Sequence, residues 1–503
     1  MSQILAKAAK LYKEKKYHQA LAEISKFDKI YQEEESVLIF AGNCHDKLGQ
    51  KKISENFYKK AYRKNKQSKA AIINLALTYF EQNKYFLSKI YIKRLLEIDP
   101  DNYNAITLLG NIYKEKKQYE KSIKFYQKAL ESEKSYYPAN INLAKIYYQK
   151  KNYSKAYTYA KKAAEKAPEE VEVIKTFAEI SIEIFKPDEA VLHLEKIAKK
   201  TKSDCWIYNL LSQLYMQQKK YETAIKAGLK AIEISKGENS QHINFGYILY
   251  DLTLAEQTKI ARKYASTWLK KYPKNSIVLH MADSILQNKK NIENNPLYVR
   301  EIFDAFADDF ENILQHLNYN VPKIMEEELS SFFKVAKQKK MRILDAGCGT
   351  GLCGKYLKKY SKFKGLDGVD ISEKMLSVAK RKNIYSRLYN QDLVSFLQQH
   401  KNQYNLINAA DVITYFGDLD ILFRAANTCL CADGRILFSA SENNINKDNC
   451  YLHSSGRFLH SQKYIENILY KNGFSIEKIT QAHLRNEGEK KVLGWIFLAQ
   501  KTK

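Results

Sequence analysis

The residues best suited to chemistry are a glycine-rich stretch, ILDAGCGTGLCG, at positions 343–354. It follows a β-prone run and precedes a helix-prone one, and Asp345 stands two places before its first glycine. Such a loop predicts a place where bare backbone lies against a ligand. The dinucleotide fingerprint GxGxxG needs glycine at its sixth position, and Leu352 stands there when counting from Gly347. The pattern therefore excludes a dinucleotide site of that type.

The elements around this loop alternate between short apolar runs and helix-like stretches. The runs are MRILDAG, FKGLDGVD, SRLYNQD, YNLINAAD and GRILFSAS, and each ends in a small or acidic residue. That alternation predicts a parallel sheet of βα units. Near the C-terminus, FSIEKITQAHLR and KVLGWIFLAQ flank the turn NEGE and predict an antiparallel hairpin that closes the sheet.

An Asp-x-Gly-x-Gly-x-Gly pattern within this sheet, Asp345 to Gly351, resembles the class I methyltransferases with their Rossmann-like fold. The resemblance implies S-adenosylmethionine as the cofactor, with the loop backbone against the ligand and the Asp345 carboxylate near its cationic end. The loop residues assigned to this site are Asp345, Ala346, Gly347, Cys348, Gly349 and Gly351.

Later acids fall where such a cofactor would need them. Asp370 ends the second run and can accept both ribose hydroxyls, and Asp392 follows the third run and can accept the adenine amino group. Met375 can pack on the adenine face. The neighbouring residues Ile371 and Leu393 complete the predicted cofactor site.

No residue stands out as a catalytic base, because an in-line methyl transfer can be catalysed largely by positioning. The acceptor-side candidates are Asp411, His453, Arg457 and His460. Asp411 ends a central strand, and the loop HSSGRFLH follows the fifth strand on the same edge. A histidine there could be a base and the arginine could hold an anionic substrate; alternatively, these residues only order a lid through hydrogen bonds.

Two classes of acceptor are disfavoured by residue type. Enzymes that methylate exocyclic amines of bases commonly carry a Pro-Pro-aromatic motif after the fourth strand, where this chain reads NAADVITY. Enzymes that attack cytosine carbon use a cysteine beside a proline, whereas Cys429 and Cys431 have no proline near them. The seven cysteines form no CxxC set, so neither a disulfide framework nor a metal site is predicted.

The first part of the chain repeats every 34 residues. With rows of that length, the eighth column holds only small residues: Ala8, Gly42, Ala76, Gly110, Ala144, Ala178, Ser212 and Gly246. The twentieth column is small as well, and the eleventh is mostly large and aromatic. Small residues at two columns let two helices of a row approach closely, while the eleventh column fills the adjoining gap.

This repeat resembles the tetratricopeptide repeat, which implies an all-α superhelix with a concave face for a protein partner. We predict three segments: about eight repeats over 1–275, a capping helix and linker over 276–297, and a methyltransferase domain over 298–503. The segments YVREIFDAFADDFENIL, GVDISEKML and HSSGRFLHSQKYIENILYKNGF are similar to a bacterial group of predicted methyltransferases that carry such repeats. In similar enzymes, the helical segment before the first strand covers the cofactor.

Composition sets limits on partners and location. The net charge is +27, most of it in the first 293 residues, and no apolar run reaches the length of a membrane span. A soluble, cytoplasmic protein is expected. Charge alone leaves nucleic acid as a weakly supported partner, because the lysines are spread along the chain.

The leading hypothesis is a methyltransferase acting on a small molecule, with the repeats for protein–protein interaction or assembly. The alternatives are a protein methyltransferase whose repeats recruit the substrate, and a scaffold whose methyltransferase domain only senses the cofactor. The fourth hypothesis is an enzyme that acts on RNA, which only the net charge supports.

Overall fold

The computed structural model describes residues 2–27, 34–201, 204–287, 294–336, 340–443, 450–487 and 490–502. Its backbone contacts form two compact units. The first comprises residues 1–202 with 213–219, and the second comprises residues 203–212 with 220–503.

Sixteen described helices follow the predicted rows, two to a row. Their bounds are α1 Ser2–Lys13, α2 Tyr17–Ile24, α3 Glu35–Lys47, α4 Lys51–Lys64, α5 Lys69–Glu81, α6 Tyr85–Ile98, α7 Tyr103–Glu115, α8 Tyr119–Ser132, α9 Tyr137–Gln149, α10 Tyr153–Lys166, α11 Val171–Glu183, α12 Pro187–Lys200, α13 Cys205–Gln217, α14 Tyr221–Ile234, α15 Asn239–Leu254 and α16 Thr258–Lys271. The single helix α17, Ser276–Leu286, follows them where the capping helix was predicted.

Close approach of the paired helices explains the small columns. In the fourth row, a Cβ on Gly110 would lie 2.5 Å from the Tyr126 ring, so only glycine fits beside that tyrosine. The hydroxyl of Ser122, in the twentieth column, donates to the Gly110 carbonyl at 2.8 Å. The eleventh-column ring stacks on a ring of the partner helix in four consecutive rows: His45–Phe57, Tyr79–Tyr91, Tyr113–Phe125 and Tyr147–Tyr159.

The turn inside each pair has a regular feature that residue types did not reveal. The fifteenth residue of each of the first seven rows is left-handed: Lys15, Gly49, Asn83, Lys117, Lys151, Phe185 and Lys219. Glycine and asparagine favour that conformation, but lysine and phenylalanine do not. Packing of the two helices therefore sets the turn geometry in most rows.

The second unit continues from the repeats into the sheet domain. Helix α15 has 16 residues where α13 has 13, so the eighth row departs from the seventh in the length of its first helix. Three further helices precede the sheet: α18 Pro296–Phe306, α19 Phe310–His316 and α20 Val321–Ala336. None of the helices in the described ranges has the length and apolar character needed to cross a membrane.

A seven-stranded sheet forms the centre of the second unit, with strand order β3-β2-β1-β4-β5-β9-β8. The first five strands of that order are parallel, and β9 is antiparallel to both β5 and β8. The strands are β1 Met341–Ala346, β2 Ser361–Asp370, β3 Arg387–Asn390, β4 Tyr404–Ala409, β5 Leu430–Ser441, β8 Phe474–Glu487 and β9 Lys490–Lys501. The helices between them are α21 Gly354–Leu357, α22 Glu373–Arg381, α23 Leu393–Gln399, α24 Asp420–Cys429 and α25 Gln462–Lys471.

This topology confirms the predicted parallel sheet with a closing hairpin, β8 and β9, although residues 488 and 489 of its turn lie outside the described residues. A small antiparallel pair, β6 Cys450–Leu452 and β7 Phe458–His460, was not predicted. It encloses the turn 453–457. Strand order reverses between β1 and β4, and the carboxyl ends of such strands are where open α/β sheets place their ligands.

Candidate active site

A cavity of about 170 Å³ lies at the carboxyl ends of β1, β2, β3 and β4. Five segments of the sheet domain contribute to its wall, together with residues of the helices that precede the sheet. The polar lining includes Asn294, Asn295, Thr350, Gln391, Arg457 and four aspartates, Asp345, Asp370, Asp392 and Asp411. Many of the other lining side chains are apolar or aromatic.

The glycine loop after β1 turns through left-handed backbone. A Cβ on Gly347, which has φ +63°, would lie 2.5 Å from Val412, so packing alone requires glycine there. Gly349 differs, because a Cβ there would meet nothing closer than the Phe310 ring at 3.9 Å, although its φ is +52°. Gly349 lines the cavity, so its missing side chain leaves room for a ligand rather than for protein.

Asp345 is buried, and both of its oxygens already have protein partners. Tyr385 Oη donates to Oδ2 at 2.6 Å, and Asn408 Nδ2 donates to Oδ1 at 2.9 Å. Burial raises the pKa of Asp345 to about 6, against the opposing effect of these two hydrogen bonds. The predicted nearness to a cationic ligand remains a prediction, and the structure adds that Tyr385 and Asn408 hold the carboxylate in place.

Asp370 joins the end of β2 to the glycine loop. The Gly349 N–H donates to its Oδ2 and the Ser372 N–H to its Oδ1, both at 2.8 Å. Burial raises the pKa of Asp370 to about 6. Each carboxylate oxygen has a second lone pair, so these contacts still leave acceptor capacity for two hydroxyls.

The remaining predicted cofactor residues divide into two groups. Ile371, Cys348, Asp392 and Leu393 line the cavity, and Asp392 also caps α23 by accepting from the Ser395 N–H at 2.9 Å. Ala346, Gly351 and Met375 do not line it. Met375 is fully buried on α22, so the structure offers no surface for its predicted adenine contact.

Helices α18 and α19 form a lid whose inner residues, Val299, Phe303, Phe310 and Leu314, line the cavity. Two acids fasten this lid to the sheet domain. Asp304 accepts from Ser372 Oγ at 2.6 Å. Glu311 accepts from Thr350 Oγ1 at 2.8 Å and pairs with Lys382. The lid occupies the segment that similarity to other enzymes implied, but its polar anchors could not be identified from the sequence.

Asp411, after β4, is the acceptor-side candidate with the most informative geometry. Its backbone is left-handed at φ +58°, and its N–H donates to Ser439 Oγ at 2.8 Å. One carboxylate oxygen lies 3.4 Å from Nη1 of Arg485. The other, Oδ1, is buried without a hydrogen-bond partner among the described residues. A strained residue with an unsatisfied acceptor in a cavity is characteristic of functional sites.

Arg485 was not predicted as a site residue. It lies on β8 next to an irregularity in the pairing with β9, and its side chain is almost fully buried. Irregularities of this kind redirect side chains. A pairing shift cannot be read from residue types, which is why the sequence did not reveal this arginine.

The other acceptor-side candidates do not all reach the cavity. Arg457 lines it. His460 is buried, faces the Gly417 carbonyl at 3.2 Å, and does not line the cavity. Burial lowers the pKa of His460 to about 4, so this ring is neutral at pH 7. His453 also lies outside the lining, with Nδ1 2.9 Å from Ser455 Oγ and its ring near Tyr250.

Comparison with known families agrees with both parts of the chain. Residues 315–482 match a family model described as a methyltransferase domain. Tetratricopeptide repeat models match residues 70–102, 91–124, 115–180 and 207–237. These matches confirm the predicted combination of repeats with a methyltransferase domain, and S-adenosylmethionine, the predicted cofactor, agrees with that family.

Individual relatives are distant. A curated relative, malonyl-[acyl-carrier protein] O-methyltransferase of Legionella pneumophila, is 28% identical over 145 residues, which cover 28% of this chain and 49% of that protein. The chain thus spans about half the length of the curated relative it matches.

Solved structures are similar to each part separately. Magnesium protoporphyrin IX methyltransferase from Synechocystis PCC 6803, solved with S-adenosylhomocysteine, has 18% identity and a TM-score of 0.33, covering 41% of this chain and 99% of that chain. YrrB, titled a TPR protein with an unusual peptide-binding site, has 21% identity and a TM-score of 0.30, covering 35% of this chain and 91% of that chain.

Proposed function

We propose that this chain, which joins tetratricopeptide repeats to a methyltransferase domain, is an S-adenosylmethionine-dependent methyltransferase that acts on a small molecule. The observation that carries the proposal is one cavity that combines the glycine loop, the strand-end acids and the unsatisfied Asp411 oxygen. The open space beside Gly349 and the acids around it fit a cationic, ribose-containing cofactor.

Each group of residues around the cavity has its own proposed role. The loop 345–349 and Asp370 would hold the cofactor, Asp392 would meet its adenine, and α18 and α19 would exclude water. S-adenosylmethionine supplies an activated methyl group when bound. Asp411 Oδ1 would accept a hydrogen bond, and then the proton, from an acceptor hydroxyl or amine, while Arg485 lies beside the other carboxylate oxygen.

The lining of the cavity favours a small, largely apolar acceptor over nucleic acid. Among its residues, all in described parts of the chain, one is cationic, Arg457, against four aspartates. A phosphate backbone requires the opposite balance of charge. The overall charge of +27 is therefore not concentrated where an RNA substrate would enter.

The repeats support a role in binding a protein partner, which is the second part of the proposal. If that partner is itself the acceptor, the chain would be a protein methyltransferase instead. A scaffold that only senses the cofactor is disfavoured, because Asp411 Oδ1 has no structural partner among the described residues to explain its burial.

The test uses the purified full chain. S-adenosylhomocysteine should bind saturably by titration calorimetry and raise the melting temperature, and NAD should do neither. With labelled cofactor and fractionated cell extract, label should enter the small-molecule fraction. Asp411→Asn, nearly isosteric, should keep cofactor affinity and lose transfer. Label in protein or RNA instead would reject the small-molecule acceptor, and equal binding of NAD would reject the cofactor assignment.

A further inference from the structure

Helix α17, the last helix of the repeat series, contacts two parts of the methyltransferase site through one residue. His280 on α17 is buried, and its ring stacks on Tyr298 of α18 with ring centroids 3.9 Å apart. Its Nε2–H donates to the Gly456 carbonyl at 2.7 Å. Burial lowers the pKa of His280, so the ring is held neutral as a hydrogen-bond donor and stacking surface.

The second of these parts is the turn that presents Arg457 to the cavity. Gly456 has φ +78°, and a Cβ there would lie 2.7 Å from Tyr298 Oη. The turn is closed by two backbone hydrogen bonds between His453 and the residues Gly456 and Arg457, each 2.9 Å long. The positions of Tyr298, Gly456 and His280 therefore depend on one another.

Further hydrogen bonds join α17 and α15 to the β6–β7 pair and its turn, and α17 to the start of the lid. Ser284 Oγ lies 3.4 Å from the Ser454 carbonyl, and Thr253 Oγ1 on α15 donates to Ser454 Oγ at 3.2 Å. Gln287 donates to Tyr451 Oη at 2.6 Å. At the start of the lid, Asn295, which lines the cavity, donates to the Ser276 carbonyl at 3.3 Å. Both ends of α17 thus hold parts of the site.

We infer that α17 is a positioning element of the methyltransferase site, and that His280 is the residue through which it sets both the lid and the Arg457 turn. Helix α18 carries Tyr298 toward α17 and Val299 and Phe303 toward the cavity, so a shift of α17 is passed to the cavity wall. Naming the cavity's ligand as S-adenosylmethionine or its product rests on the proposed function; the coupling of α17 to the lid does not.

Coupling between two places in a protein is reciprocal in free energy. If α17 orders the lid, then a ligand that closes the lid should in turn order α17. The effect should not reach repeats that lack contact with the cavity, such as α9 and α10 in the first unit.

Three variants of the full chain separate the two contacts of His280. His280→Phe keeps a ring for Tyr298 and removes the donor to Gly456, His280→Gln keeps a donor and removes the ring, and His280→Ala removes both. The matched control is His242→Ala, a buried histidine in α15 that accepts from Trp268 Nε1 at 3.0 Å and whose described ring contacts are with Trp268 and Tyr272.

The readouts are S-adenosylhomocysteine affinity by calorimetry and amide hydrogen exchange with and without that ligand. We expect His280→Ala to weaken binding about ten-fold and to speed exchange of α18 without ligand, with each single-contact variant intermediate. His242→Ala should lower the melting temperature without changing affinity. In the unaltered chain, the ligand should slow exchange in α17 and α18, and not in α9 or α10.

The outcomes separate this inference from the proposed function. If the unaltered chain does not bind S-adenosylhomocysteine, the proposed function fails, while the ligand-free exchange of α18 in His280→Ala still tests the coupling. Unchanged exchange of α18 in that variant would overturn the inference. The inference would also be overturned if the ligand slowed amide exchange in α18 but not in α17. It would be overturned as well if His242→Ala lost as much affinity as His280→Ala.

Discussion

Cofactor affinity should fall as the solution is acidified, because the two acids that face the glycine loop have pKa values within the working range. Burial raises the pKa of Asp345 and of Asp370 to about 6. A ligand with ribose hydroxyls and a cationic end requires the ionised carboxylates as acceptors and counter-charges. Protonation of either one therefore competes with binding.

The size of the effect follows from the pKa values. A group with a pKa of about 6 that must be ionised weakens binding about ten-fold when the pH falls from about 7 to about 5. If both Asp345 and Asp370 must be ionised, the loss is about a hundred-fold over the same range. The expected result lies between these limits.

Stability should change in the opposite direction, which provides an internal control. The folded pKa of each acid lies above its unfolded value of 3.8, so the folded state binds more protons between those two values. The contribution of each acid to the free energy of unfolding therefore grows as the pH falls through about 6 toward about 4. Weaker binding at pH 5 would thus not arise from unfolding caused by these groups.

The assay is calorimetric titration with S-adenosylhomocysteine at several pH values, beside a thermal melt of the unliganded chain at each. Asp370→Asn cannot titrate and should bind more weakly at neutral pH with a smaller further loss on acidification. Affinity that is constant between pH 7 and pH 5 would refute the reasoning, as would an unchanged pH dependence in Asp370→Asn.

Three shorter predictions follow from single contacts. Gly349→Ala should abolish measurable cofactor binding while lowering stability by only about 1–2 kcal/mol, because its methyl enters open cavity beside Phe310 and the strain is confined to the backbone. Tyr385→Phe should shift the midpoint of the pH dependence of cofactor affinity upward, since the Tyr385 hydroxyl lowers the pKa of Asp345. Calorimetry at several pH values checks Gly349→Ala and Tyr385→Phe. Gly110→Ala should destabilise the repeats by about 1–3 kcal/mol in a thermal melt without changing cofactor affinity, because the new methyl clashes with the Tyr126 ring.

The sequence predicted most of the architecture because periodic patterns determine it. The 34-residue columns located every described helix pair, and the runs that end in small or acidic residues located the five parallel strands. Left-handed turns at Lys117 and Phe185 could not be predicted, because helix packing imposes them on residues that do not favour them.

The site was predictable only where residue type alone carries the signal. Glycines and strand-end acids led to the cavity, but residue type did not show that Asp370 also holds the loop through the Gly349 and Ser372 N–H groups. From the sequence, Asp370 was predicted only to bind the ribose hydroxyls of the cofactor. His460 illustrates the opposite error, because a histidine near the site appears reactive until its complete burial is known.

The domain boundary expected near residue 298 stays a prediction, and the contacts of α17 make it sharply testable. A chain truncated to 296–503 would remove His280, which covers the ring of Tyr298, a residue that is 2% exposed in the full structure. Uncovering a buried aromatic side chain costs about 1.5–3 kcal/mol. A chain truncated to 220–503 keeps every described contact between α15, α17, α18 and the turn 453–457.

We therefore expect the 220–503 chain to melt cooperatively and to bind S-adenosylhomocysteine as tightly as the full chain. The 296–503 chain should melt at a lower temperature and bind at least about ten-fold more weakly, since its lid has lost its contacts with α17. Calorimetry and thermal melts of the three proteins side by side make the comparison. If 296–503 matches the full chain in affinity, the lid is held by Asp304 and Glu311 alone, and the last repeat is a neighbour of the site rather than a part of it.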